Sequence, residues 1–186
     1  YGSPAVNSLV LWSAKSPDSL DMDLFSRGEY ARAMEENSMA EAITKVLYPA
    51  DDHYKGKELR LKQQYLLVSA SVQTIIKDFL KENKDIHTLP DKVAIHINDT
   101  HPSLCVPELM RILLDEHGLS WEEAWEITTQ TLSYTNHTIM SEALEVWPVS
   151  LFSALLPRIY QIVCEIDRRF LVVLNEHYSG DTGKIN

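Results

Sequence analysis

Between Lys57 and about Lys81, Leu61, Tyr65, Val68, Val72, Ile75 and Phe79 recur at alternating steps of four and three. That spacing predicts one long helix with a single apolar stripe. Pro157 opens a second long helix, with Ile159, Ile162, Val163, Ile166 and Phe170 along one side. Between them the period changes. "KVAIHIN" (92–98) and "LSYTNHT" (132–138) are rich in β-branched residues and bounded by turn formers, and both read as strands. After the first strand, Pro107 sits in the first turn of a helix whose buried face is Val106, Leu109, Met110 and Leu113, and Gly118 stops it. Ser120 and Glu123 form a capping box ahead of "WEEAWEITTQTL". The same spacing, Ser26 with Glu29, predicts a helix within "SRGEYARAMEEN" (26–37). Its thin apolar face suits a protruding, partner-facing element. Ser38 with Glu41 predicts another helix, ended by Pro49. "VNSLVLW" (6–12) reads as a short strand, residues 13–23 and 50–56 as loops, and 81–91 as a surface linker. Strand, helix, helix, strand is an α/β order, so a mainly parallel sheet flanked by helices is expected.

Charge narrows the partners. Seventeen basic against twenty-seven acidic residues give a net charge of −10 over 186 residues. Nucleic acid and anionic membrane are therefore disfavoured, since most of the surface repels them. No apolar run approaches the roughly 20 residues that span a bilayer. No signal peptide opens the chain, and its start at Tyr1-Gly2-Ser3-Pro4 without Met reads as trimmed. Cys105 and Cys164 fit neither a disulfide framework nor a CxxC site. Both read as core filler, and a cytoplasmic location is expected.

Chemistry concentrates where the two central strands end. One finishes in Asn98-Asp99-Thr100-His101, the other in Thr135-Asn136-His137-Thr138. In open parallel sheets ligands sit beyond the carboxyl ends of the strands. If the strands are neighbours, Asp99, His101 and His137 converge at one rim, where an Asp can fix a His tautomer. Each cluster taken singly is also an ordinary turn. A zinc site of Asp99, His101 and His137 is a sharper alternative, but its spacing matches no short metal motif. Glu142 and Glu145 in "SEALEVWP" are three apart and share a face on a helical turn. "DDHY" (51–54) could form a gate over a polar ligand. Trp121 and Trp125, at i and i+4, read as core. With only 6 glycines, no glycine-rich phosphate loop occurs.

The motifs "INDTHPSL", "LSYTNHTIMSEALEVWP" and "LLPRIYQIVCEIDRRF", with "LWSAKSP", "VLYPADD" and "GKELRLKQQYLLVSASVQTII" before them in the same order, resemble the α-glucan phosphorylases. The resemblance covers nearly the whole chain. It implies an α/β fold, the Rossmann-like part of the N-terminal domain of a two-domain (GT-B) glycosyltransferase. It implies phosphorolysis of terminal α-1,4 bonds of glycogen, starch or maltodextrin to glucose 1-phosphate with retained configuration. The partners would be an α-1,4-glucan, inorganic phosphate, and a second copy in a homodimer joined through the 27–37 helix. Pyridoxal 5'-phosphate would be held by a lysine of the C-terminal domain, outside this chain.

Carried onto this sequence, His137 would lie against the glucosyl unit near its 6-hydroxyl, with its carbonyl facing the developing oxocarbenium charge. Asp99 would orient the histidines and His101 would line the neighbouring pocket. Asn136 would help bind the substrate, and Glu145 would face a water-filled pocket beside the sugar. Loop 50–56 would be a mobile gate, with Asp51 and Asp52 toward sugar hydroxyls; residues 93–186 would hold the strand-end site and the long helices. Where animal members carry an Arg-Arg pair for AMP, this chain has Lys77-Asp78, so AMP activation is not carried over. Asp52 and His53 replace an Asn and a Phe of animal members, Val10 and Val146 replace arginines, and Ile159 replaces a histidine. The chain amounts to about a fifth to a quarter of a phosphorylase, and alone it is expected to be inactive. The rival readings are a non-catalytic glucan-binding or dimerisation module and a metal-dependent hydrolase.

Overall fold

The computed structural model describes residues 2–17, 20–141, 144–179, 181 and 183. These divide into two compact units, one running to Gln63 and one from Gln64 onward.

In the first unit, helix α1 (Met22–Ser26) is capped by Asp21, whose carboxylate accepts from the N–H groups of Asp23 at 3.0 Å and Leu24 at 2.9 Å. A single turn, α2 (Tyr30–Ala33), and α3 (Glu35–Lys45) follow. The expected helix over 26–37 is therefore broken. Ser26 closes α1 and donates to the Met22 carbonyl at 2.7 Å, rather than capping a new helix. Gly28, at φ +81, turns the chain in a way other residues resist. Ser38 is likewise interior to α3, which starts three residues before it.

The strand expected at 6–12 is absent. The segment is extended coil with Leu9 85% exposed, because no neighbouring strand among the described residues supplies a ladder.

The long helix α4 (Tyr54–Glu82) starts in this unit, and Leu61 on it is fully buried. In its first turn, Gly56 packs against the Ala50 carbonyl so closely that a Cβ would lie 1.8 Å from that oxygen. Gly56→Ala is expected to displace the 50–53 turn and cost roughly 1–3 kcal/mol, read as a lower urea midpoint.

In the second unit the α4 stripe buries Val68, Val72, Ile76 and Phe79, so Ile76 takes the place expected for Ile75. The segment 81–91 is not a surface linker. It contains a 3-10 turn (Ile86–Thr88) and α5 (Leu89–Lys92), and buries Ile86 and Leu89. Strand β1 (Ile95–Asn98) leads through a tight turn to α6 (Cys105–Arg111), continued by a wider helical turn over Ile112–Glu116. Gly118, at φ +69, ends it.

Helix α7 (Trp121–Thr131) starts at the predicted capping box: Ser120 Oγ accepts from Glu123 N–H, and Glu123 reaches back to the Ser120 N–H at 2.9 Å. It runs directly into β2 (Leu132–Thr135), which pairs with β1 in parallel. Helices α8 (Val149–Leu155) and α9 (Pro157–His177) close the described part. Leu109, Met110 and Leu113 with Leu151, Ile159 and Ile162 form the centre of the core. Each such side chain is worth about 1.5–3 kcal/mol of burial.

Several side chains depart from expectation. The stripe of α9 is buried only in its first half, and Phe170 is 57% exposed. Trp121 and Trp125 line an open recess of about 500 Å3 against Ile166 and Phe170 rather than filling the core. There the Arg169 guanidinium lies 4.8 Å over the Trp121 ring.

Only one cysteine is core filler. Cys105 is buried, and burial followed by the Glu108 carboxylate pushes its thiol up to about 11. Cys164 is exposed, being two residues from Ile162 and so off the buried stripe. A thiol-exchange reagent at neutral pH is expected to titrate one thiol in the native chain and both in denaturant.

Candidate functional site at the strand tips

The parallel register pairs Ile95 with Leu132, His96 with Ser133, Ile97 with Tyr134 and Asn98 with Thr135. The two strands thus end side by side. The ladder continues one bond further, from Asp99 N–H to the Thr135 carbonyl at 2.8 Å. Alternation along β1 buries Ile97 and leaves His96 and Asn98 together on the exposed face.

Two diagonal cross-strand contacts link that face. His96 Nε2 lies 2.6 Å from Thr135 Oγ1, and His137 Nε2 lies 2.5 Å from Asn98 Oδ1. An amide oxygen only accepts, so in this contact His137 Nε2 carries the proton and donates it.

The group holding His137 is therefore Asn98, not the neighbouring Asp99 as expected. Asp99 occupies the left-handed region, at φ +66, and its carboxylate accepts from the Thr100 N–H at 2.7 Å. An aspartate tolerates that conformation because its short side chain bonds the turn backbone. His101 is half-buried in the same turn ahead of α6. Asn136 spends both ends of its amide on Thr138, donating to the carbonyl at 2.6 Å and accepting from the N–H at 3.2 Å, so it shapes the loop after β2. Glu145 is half-buried on that loop, and both its oxygens are approached by Gln64 Nε2, at 2.8 and 3.0 Å. Glu142, its expected partner, lies outside the described residues.

Asp51 and Asp52 belong to the first unit. Asp51 is paired with Arg60, whose hydrogen bond holds its carboxyl below the usual carboxylate range. Stability from that pair is present above the ordinary carboxylate range and is lost as pH falls through the depressed value. Asp52 is exposed, and His53 Nδ1 accepts from the Gly56 N–H at 3.0 Å. Since α4 begins at Tyr54, the loop is four residues, 50–53, rather than 50–56.

Among the described residues no three His, Cys, Asp or Glu side chains are grouped to hold a metal ion, so Asp99, His101 and His137 do not form a ligand set. Also among them, no helix is long and apolar enough to cross a membrane.

The sequence reading named Asn98 only as part of a strand tip and did not name His96, although the I-H-I-N alternation puts both on one face. It also missed a buried carboxylate. Glu108, 0% exposed, accepts from Tyr65 Oη at 2.9 Å, Ser69 Oγ at 2.7 Å, and Arg111 Nε and Nη2 at 2.9 Å each. This cluster ties α4 to α6. Burial, then the Glu108 charge, raise the Tyr65 phenol above its ordinary value.

A parallel strand pair with a polar rim at its carboxyl ends places the chain among α/β domains suited to binding ligands at their strand tips. Comparison with known sequences is more specific. The family described as Carbohydrate phosphorylase matches residues 1–186, and the chain belongs to that family. It is 48% identical over 194 residues to the muscle form of glycogen phosphorylase of Ovis aries, with 100% of this chain and 23% of that protein covered. It is 52% identical over 177 residues to glycogen phosphorylase 2 of Dictyostelium discoideum, covering 95% of the chain and 18% of the relative. With the glycogen phosphorylase of Bacillus subtilis (strain 168), identity is 50% over 185 residues, covering 100% and 22%. The chain thus spans about a fifth of the length of these relatives.

Proposed function

We propose that the chain is a portion of the Rossmann-like N-terminal domain of an α-glucan phosphorylase with the two-domain GT-B architecture. The whole enzyme transfers the terminal α-1,4-linked glucosyl unit of a glucan to inorganic phosphate, giving glucose 1-phosphate. The observation that carries this reading is the contact of His137 with Asn98 across two parallel strand ends. It commits Nε2 as donor to Asn98 and leaves Nδ1 for a sugar hydroxyl. Glu145, half-buried and anchored, supplies an acceptor for hydroxyls or ordered water.

The family's pyridoxal phosphate supplies acid–base chemistry through its phosphate group when bound. This chain does not fit as its holder: neither 98–104 nor 132–148 contains a lysine, so no residue at the tips can form its imine link. The two unpaired cysteines support a reducing, cytoplasmic setting. Exposed Tyr30 on α2, Met39 on α3 and Met34 between them support a role for this region in homodimer contact.

The test is phosphate-dependent release of glucose 1-phosphate from maltoheptaose. The full-length protein is expected to turn over and the 186-residue chain to give none, because glucosyl transfer needs both faces of the cleft. Turnover by the isolated chain, or none by the full-length protein, contradicts the reading.

A further inference from the structure

Glu145 sits on the loop that follows β2. Its neighbours Leu144 and Val146 are exposed, yet its own side chain is half-buried and turned toward α4. There Gln64 Nε2 reaches both carboxylate oxygens, at 2.8 and 3.0 Å, across 81 residues of sequence. The next residue on α4, Tyr65, and Ser69 one turn later donate to the buried Glu108 carboxylate on α6. The amide that holds Glu145 therefore projects from a stretch of helix that is itself fixed against α6. An amide N–H group donating to a carboxylate restrains its rotation without neutralising its charge.

We propose that Gln64 is a positioning residue, which holds the Glu145 carboxylate oriented toward the bound glucosyl unit. The proposal rests on the reading of Glu145 as part of the sugar site, and it assigns a function to a helix residue outside the strand tips. Gln64 does not touch substrate. Its effect passes through Glu145, so it depends on a donor at position 64 and vanishes when the carboxylate is gone.

The experiment is steady-state phosphorolysis of maltoheptaose by the full-length enzyme and its Gln64→Leu, Gln64→Lys, Glu145→Gln and Gln64→Leu/Glu145→Gln variants. Leucine keeps the bulk and removes the donor, and is expected to lower kcat/KM on the order of tenfold, chiefly through the glucan KM. Lysine restores a donor of similar reach and is expected to recover most of that loss, which a merely structural role for the side chain does not explain. The double variant is expected to be no worse than Glu145→Gln alone, the signature of two residues acting as a unit. Gln64→Leu with unaltered kinetics beside an impaired Glu145→Gln overturns the positioning role and leaves the sugar-site reading standing. Fully additive losses in the double variant also overturn it. An unimpaired Glu145→Gln overturns the sugar-site reading of Glu145 and the inference with it.

Discussion

Asn98→Ala in the full-length enzyme is expected to lower kcat/KM for maltoheptaose phosphorolysis by roughly tenfold to a hundredfold. The proton on His137 Nε2 is assigned by its contact with the Asn98 amide oxygen at 2.5 Å. Both residues are exposed, so the fold itself loses little when that contact goes. What is lost is the choice of tautomer and the ring's orientation, on which a histidine's usefulness at a site depends. Asn98→Asp provides the contrast. A carboxylate still accepts from Nε2 and keeps the tautomer, but it favours the charged ring and raises the histidine pKa. If the neutral ring is required, Asn98→Asp stays active at alkaline pH and its acidic limb moves to higher pH. Initial rates of glucose 1-phosphate release across pH, with both variants, check this. Equal, pH-independent losses in the two variants count against the tautomer argument.

The largest stability effect is expected at Glu108. Its carboxylate is fully buried and takes hydrogen bonds from Tyr65, Ser69 and Arg111. Glu108→Ala removes the acceptor for all of them, leaving the Tyr65 phenol and Ser69 hydroxyl without it and Arg111 with only its exposed partner Glu116, a loss of about 3–5 kcal/mol. Urea unfolding of the chain followed by tryptophan fluorescence measures it as a fall in midpoint. Replacing the cluster together, as Tyr65→Phe, Ser69→Ala, Glu108→Leu and Arg111→Met, is expected to recover much of the loss, since no buried polar group of the cluster is then left without its acceptor. A Glu108→Ala chain as stable as the parent contradicts the assignment.

This cluster also shows where the sequence stops informing. Glu108 and Arg111 stand three apart on one helix, and such a pair reads as a solvated surface bridge. Nothing local says that Tyr65 and Ser69, some forty residues away, turn the pair into a buried centre. By contrast α4, α7 and α9 were legible because a repeated apolar stripe or a capping box states its own geometry. The parallel strand pair was legible for a similar reason: β-branched runs ended abruptly in polar tips. Segment 6–12 has strand-like composition but no ladder partner, and composition cannot supply one. The helix expected at 26–37 failed at Gly28, whose positive φ outweighed a capping-box spacing. At the site, the juxtaposed tips followed from the pattern, whereas the residue holding His137 did not. A carboxylate attracts attention as a histidine's partner, yet the pleat points Asn98, not Asp99, at the ring.

The tips of β1 and β2 are together expected to bind one glucosyl unit. A crystal structure of the full-length enzyme soaked with maltoheptaose tests it most directly. The expected result is a sugar ring in contact with His137, with Glu145 facing the same ring or a water bound to it. An oligosaccharide bound elsewhere in a catalytically competent complex, with His137 and Glu145 both away from it, contradicts the account.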